Sequence, residues 1–154
     1  MEIVSKSSEH TYKIGKTIGE KLKPRDILAL IGDLGSGKTT FVKGLAEGLD
    51  IKNPINSPSF LIIKEYKGKY PFLHIDVYRL NNPEIELFNI GFEDYLKDDY
   101  IIAIEWADRI LNYLPDKRLE IEFLHMSNNE RKIIFKPKGE RYKNLIEELK
   151  ECLF

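Results

Sequence analysis

Cysteine is nearly missing, with Cys152 the single thiol among 154 residues. One thiol closes no internal disulfide. The three histidines, His10, His74 and His125, are scattered, so zinc-ligand spacing is missing as well. A reducing, cytoplasmic setting is the expectation. Long apolar runs are also lacking. The longest, 27–31 and 101–104, fall far short of the roughly 18 residues that a membrane helix needs. The opening residues, Met1 to Lys6, show neither a basic n-region nor an apolar h-region. No membrane role is expected. Excess charge of either sign is absent: 24 Lys and Arg stand against 25 Asp and Glu, a formal net charge of −1. That excludes a nucleic-acid binder working through a basic surplus, but leaves open RNA held through a partner.

Repeats, low-complexity tracts and Pro/Gly/Ser linkers are missing too, so one domain spanning 1–154 is expected. What is present suffices for a core. Hydrophobic residues make up 42% of the chain, and a domain of this size buries about two-thirds of its unfolded surface. Apolar spacing at Ile14, Ile18 and Leu22 predicts a first helix over 11–22, capped by Ser8 or Thr11. The continuous apolar run 27–31 reads as a strand covered on both faces. A helix over 37–49 follows, with Phe41, Val42, Leu45, Ala46 and Leu49 on one face and Gly48 near its C-terminal end. After a loop over 50–59, strands at 60–66 and 70–76 flank a Lys67-Gly68-Lys69 turn. Asn82-Pro83-Glu84 opens a short helix with Pro at its first position. A buried strand over 100–105, a second hairpin formed by 118–125 and 131–136, and a packing helix from Glu140 complete the chain. Helices alternating with strands, then hairpins, predict a three-layer α/β domain with a mixed, mostly parallel central sheet and a C-terminal hairpin.

The decisive segment is Gly32-Asp33-Leu34-Gly35-Ser36-Gly37-Lys38-Thr39, a full G-x-x-x-x-G-K-[ST] match lying between a buried strand and an amphipathic helix. Its glycines permit close approach of backbone to ligand. The loop N–H groups, from Asp33 through Thr40, then meet phosphate oxygens at a helix N-terminus. Lys38 supplies an ammonium to the β- and γ-phosphates, and the Thr39 hydroxyl a Mg²⁺ ligand. The expected ligand is a nucleoside triphosphate. Neither the Asn-Lys-x-Asp nor the Asp-x-x-Gly element of GTPases occurs, so ATP, with its product ADP, is the expectation.

Catalysis also needs an acidic residue at a neighbouring strand end. Glu105 follows four apolar residues and is the better candidate; Asp76, in His74-Ile75-Asp76-Val77-Tyr78-Arg79, is the second. A solvated strand-end carboxylate is the bland reading of Glu105, and a cap or a pair with Arg79 that of Asp76. A small-molecule kinase with Asp76 as base is the alternative function. Against it, the six arginines are dispersed and no two share one flexible segment. A module that holds ATP or ADP without useful hydrolysis is a third reading.

Four segments together resemble the bacterial TsaE family (formerly YjeE). They are Gly32 through Phe41, Ser57-Pro58-Ser59-Phe60, His74-Ile75-Asp76-Val77-Tyr78-Arg79-Leu80 and Ile104-Glu105-Trp106. The resemblance implies a weak ATPase that works with the TsaD and TsaB proteins in threonylcarbamoyl (t6A) modification of adenosine 37 of tRNA, with the tRNA engaged only indirectly. It implies ATP and Mg²⁺ on the P-loop, with Thr39 and Glu105 at the metal and Asp76 supporting that site or the partner interface. It further implies a segment over 57–60 that moves with nucleotide state, and Thr11 and Arg131 near the nucleotide. A two-proline loop forms no regular element, so contacts to the γ-phosphate and metal would decide its order. Composition alone is as well explained by an ordinary connecting loop. Strand alternation sets Trp106 opposite Glu105, as a core residue or a partner anchor. His74 reads as a bond to a phosphate, a partner or a backbone carbonyl, or as a satisfied structural histidine. The mixed basic and aromatic stretch 64–69 reads as a solvated hairpin before an RNA surface.

Overall fold

The computed structural model describes residues 1–55 and 63–153. The first half of the chain runs β1 (Glu2–Ser5), α1 (Ser8–Lys21), β2 (Ile27–Gly32), α2 (Lys38–Gly48), β3 (Ile63–Lys67) and β4 (Pro71–Asp76). The second runs α3 (Pro83–Asn89), α4 (Phe92–Lys97), β5 (Ile101–Glu105), a 3-10 turn (Ala107–Arg109), β6 (Arg118–His125), β7 (Arg131–Lys138) and α5 (Glu140–Leu153). The strands form one seven-stranded sheet in the order β1-β7-β6-β2-β5-β4-β3. Its four central strands, β6, β2, β5 and β4, run parallel. The pairings β1–β7, β7–β6 and β4–β3 are antiparallel. This is the expected mixed α/β sheet flanked by helices.

Alternation along β2 and β5 sorts their apolar side chains to two cores, as a strand covered on both faces must do. Leu28, Leu30, Ile101 and Ala103 pack on one face with Ile14 and Ile18 of α1, Phe41 and Leu45 of α2, and Leu145 and Leu149 of α5. Ala29, Ile102 and Ile104 pack on the other with Leu87, Phe92 and Ile110. Among the described residues no helix is long and apolar enough to cross a membrane.

Several boundaries depart from expectation for physical reasons. Helix α1 starts earlier and its cap is Ser7, whose hydroxyl accepts the His10 N–H at 3.0 Å. Gly48 is the last residue of α2, at its C-terminal end as expected. Its place is explained by packing, since a Cβ there would stand 2.3 Å from the Lys16 carbonyl oxygen. The residue with left-handed backbone after α2 is Asp50, at φ 59°. Pro83 opens α3 as expected, but the Asn82 side chain makes no cap; Glu86 instead accepts the Asn82 backbone N–H at 3.1 Å. Strand β1 and helix α4 are additions to the sequence reading. The first residues of the expected 60–66 strand, and the 57–60 segment, lie outside the described residues.

Helices α1 and α2 lie backbone against backbone. A Cβ on Gly15 would come within 2.3 Å of the Phe41 carbonyl oxygen, and one on Gly44 within 2.1 Å of that of Tyr12. At the far end of β2, Tyr142 of α5 accepts the Ile27 N–H at 2.9 Å, and Arg141 grips the buried Asp26 carboxylate at 2.7 and 3.0 Å. The strand that carries the Gly-rich loop is thus anchored at its base.

Candidate functional site

The loop between β2 and α2 turns through Gly35 (φ 74°) and Gly37 (φ 105°), backbone conformations that a side chain strongly disfavours. Gly37 is the N-cap of α2 and offers no side-chain acceptor to the helix. The first amides of α2 therefore lack side-chain partners at its positive end, as an anion-binding helix terminus requires. The loop borders a cavity of about 750 Å³. The residues proposed from sequence for the nucleotide, the metal and catalysis line it: Thr11, the stretch from Asp33 through Thr40, Asp76, Glu105 and Arg131. It also takes in Ser7, Ser8, Tyr78, Arg79, Leu80, Trp106, Asn128 and Asn129.

Lys38 is 5% exposed, and its ammonium donates to the carbonyl oxygens of Gly32 and Asp33, the latter at 3.0 Å. It also lies 4.1 Å from the ring centroid of Trp106. Burial holds the Lys38 pKa below the ordinary lysine value, opposed by the carboxylates of Glu105, Asp76, Asp108 and Asp33. Trp106 meets the core, as alternation allows, and also reaches the cavity. The strand ends at Glu105, and Trp106 adopts φ 62°, so its ring turns into the cavity and meets Tyr78 at 4.6 Å between centroids. Its inner edge still packs against the core beneath α3 and α4.

Glu105 is 3% exposed at the carboxyl end of β5. One of its oxygens accepts the Thr39 hydroxyl at 3.2 Å, and the other bonds His74 Nε2 at 2.6 Å. The bland reading, a solvated carboxylate, does not describe it. Asp76 stands beside Glu105 in the β4–β5 register and accepts the Tyr78 N–H at 2.9 Å. Burial, joined by the charge of Glu105, raises the Asp76 pKa above the usual carboxylate value, against the Tyr78 hydrogen bond.

The two remaining sequence candidates arrive from distant parts of the chain. Thr11 is buried, shares a 2.6 Å hydrogen bond with Ser5, and its methyl group lies 3.6 Å from where a Gly37 Cβ would be. Arg131, paired with Ser5 across β1–β7, donates to the Gly35 carbonyl at 3.1 Å and to the Ser127 carbonyl at 2.9 Å. Ser7, Ser8, Asn128 and Asn129 carried no motif in the sequence. The β2–β6 pairing brings the turn with Asn128 and Asn129 to the loop, and the β1–β7 pairing brings Ser7 and Ser8. Cys152 is exposed on α5, and no group of three or more His, Cys, Asp or Glu able to hold a metal occurs among the described residues. A hard cation that keeps waters and phosphate oxygens as ligands needs no such cage. The hydroxyl of Thr39 and the carboxylate of Glu105 are oxygen donors of the type Mg²⁺ takes, so the residues fit that ion.

Known proteins give this site its relatives. A family model described as threonylcarbamoyl adenosine biosynthesis protein TsaE matches residues 5–133. The tRNA threonylcarbamoyladenosine biosynthesis protein TsaE of Bacillus subtilis is 46% identical over 92% of this chain and 88% of its own length. Its namesake from Aquifex aeolicus is 39% identical over 86% of this chain and 92% of its own. The crystal structure of Bacillus subtilis YdiB superposes with a TM-score of 0.86 at 39% identity, covering 99% of this chain and 95% of that one. By sequence and by fold, the chain belongs to the TsaE family.

Proposed function

We propose that this protein is a Mg²⁺-dependent, slowly hydrolysing ATPase that serves as a nucleotide-controlled switch on the TsaD–TsaB complex during threonylcarbamoyl modification of adenosine 37 in tRNA. One observation carries the nucleotide half of the reading: Lys38, Thr39 and Glu105 converge on a cavity bordered by a glycine loop and a helix N-terminus. Its volume, about 750 Å³, lies within the ordinary range of small-ligand sites. The names of the relatives carry the pathway half.

The chain's own groups divide the work. Loop amides and the α2 terminus bind the triphosphate, and Lys38 trades its loop carbonyls for β- and γ-phosphate oxygens. Thr39 and Glu105 would hold Mg²⁺, which when bound neutralises charge developing on the phosphate oxygens. Glu105 and Asp76 orient the attacking water, and Asp76, with its raised pKa, is suited to share a proton at that edge. Arg131 and Thr11 close the loop's outer side. The near-zero net charge fits a protein that moves other proteins and leaves the RNA to them. Exposed Ile85 and Phe88 of α3, with Ile90 after it, supply the apolar surface that a protein partner covers.

The test is retention of this protein on TsaD–TsaB in ATP and in ADP, together with phosphate release with and without that complex. Association that differs between nucleotides, with release raised by the partners, is expected. Lys38→Ala should lose about 10- to 100-fold in nucleotide affinity, the worth of one or two charge-assisted bonds. Absence of association in either state overturns the partner assignment, and transfer of the γ-phosphate to a small hydroxyl compound makes the protein a kinase instead.

A further inference from the structure

His74 has no part in the functions derived so far, yet its placement is unusual for a buried histidine. The side chain is fully buried on β4, its ring stacked on Phe72 at 6.5 Å and 20° between planes. Its Nδ1 has no hydrogen-bond partner among the described residues. Its whole polar capacity is spent on one contact, the 2.6 Å bond from Nε2 to Glu105. A carboxylate only accepts, so Nε2 is the nitrogen that carries the proton. A histidine kept for packing alone is matched at least as well by an apolar residue, without the cost of an unsatisfied buried atom.

We infer that His74 is a positioning residue for the proposed hydrolysis, fixing the Glu105 carboxylate so that its free oxygen faces Thr39 and the cavity. The terminal torsion of a glutamate is broad and nearly two-fold, so an untethered carboxylate presents either oxygen at many angles. The short bond to His74 removes that freedom on one side. The other oxygen is then held toward the Thr39 hydroxyl at 3.2 Å. The β4–β5 register sets the histidine two residues before Asp76, which pairs with Glu105, so the sheet itself aims the imidazole at the carboxylate. Outer hydrogen bonds of this type orient metal ligands, and their loss costs roughly 10- to 100-fold in affinity or rate.

The inference rests on the ATPase reading, and the experiment separates the two. His74→Gln keeps an N–H at the reach of Nε2, whereas His74→Asn carries the same amide on a shorter arm, and His74→Leu keeps the volume with no donor. Each variant is compared in kcat, in KM for ATP, and in Mg²⁺ titration of the ADP-bound protein followed by Trp106 fluorescence. Expected are a kcat about 10-fold or more below wild type for Asn and Leu, a KM within about 3-fold, and a weakened Mg²⁺ midpoint. Gln should recover most of both losses. In a Glu105→Gln background the Asn and Gln variants should be alike. Equal kcat and Mg²⁺ midpoints for Gln and Asn overturn the inference, even if Leu fails to fold. A wild-type protein that hydrolyses nothing, alone or with TsaD–TsaB, overturns the ATPase reading. In that case the Mg²⁺ midpoints still decide whether His74 orders the carboxylate.

Discussion

At the scale of residues, Glu105 is where burial, geometry and chemistry meet. It is a carboxylate almost wholly removed from water, which is costly unless each oxygen is bonded, and both are. Glu105→Gln keeps the shape and removes the charge. Nucleotide affinity should stay within about 3-fold while kcat falls by roughly 100-fold or more, in line with losing a general base or water-orienting group. Single-turnover phosphate release beside equilibrium ADP binding checks this, and undiminished hydrolysis would return Glu105 to a structural role. The P-loop residues were legible because the glycines, Lys38 and Thr39 sit at fixed spacing in one stretch of chain. Glu105 was legible because an apolar run ended on it. Trp106 was legible in part: its contact with the core follows from alternation, but nothing in the sequence marks a tryptophan for the left-handed backbone that turns its ring to the cavity. Serines 7 and 8 and the two asparagines of the β6–β7 turn were illegible, being ordinary cap and turn residues until the sheet closes.

At the scale of elements, the long periodic segments declared themselves, and the short α3 did so through its Pro83 start, but β1 and α4 did not. β1 has four residues and α4 six, too few for any period to stand out. The α1–α2 contact shows a further limit. Glycines inside helices read as weak points or stops, whereas Gly15, Gly19, Gly44 and Gly48 are where the two backbones touch. Helix α5 yields a prediction through Tyr142. Burial, partly offset by the Ile27 hydrogen bond, raises its phenol pKa from 10.0 to about 12. A pKa higher in the folded than in the unfolded chain means stability that is complete below pH 10 and lost as pH rises through about 12. Urea midpoints of wild type should therefore fall across this alkaline window, and Tyr142→Phe should flatten the fall. The same substitution removes the acceptor of the Ile27 N–H and so costs about 1–3 kcal/mol at neutral pH. Parallel slopes for the two proteins would show that the phenol does not govern alkaline unfolding.

At the scale of the whole molecule, the cavity is assembled from both ends of the sequence. β1 and β7 pair so that Ser5 lies opposite Arg131, and Arg131 then reaches across to the Gly35 carbonyl. Arg131→Ala should lower nucleotide affinity by about 10-fold, the worth of a bond to a charged group, with little change in melting temperature because the side chain is outside the core. An affinity equal to wild type would mean that the hairpin frames the loop without acting on the ligand. The strand order carries a further implication for how the protein is made. β2, which bears the Gly-rich loop, has β5 on one edge and β6 on the other. Both are synthesised long after it. While the ribosome is still adding the middle of the chain, the Gly-Lys-Thr segment therefore hangs from a strand with no neighbours. The cavity beside the Gly-rich loop has no finished walls at that point, and the nascent chain completes it only when nearly all of it has emerged.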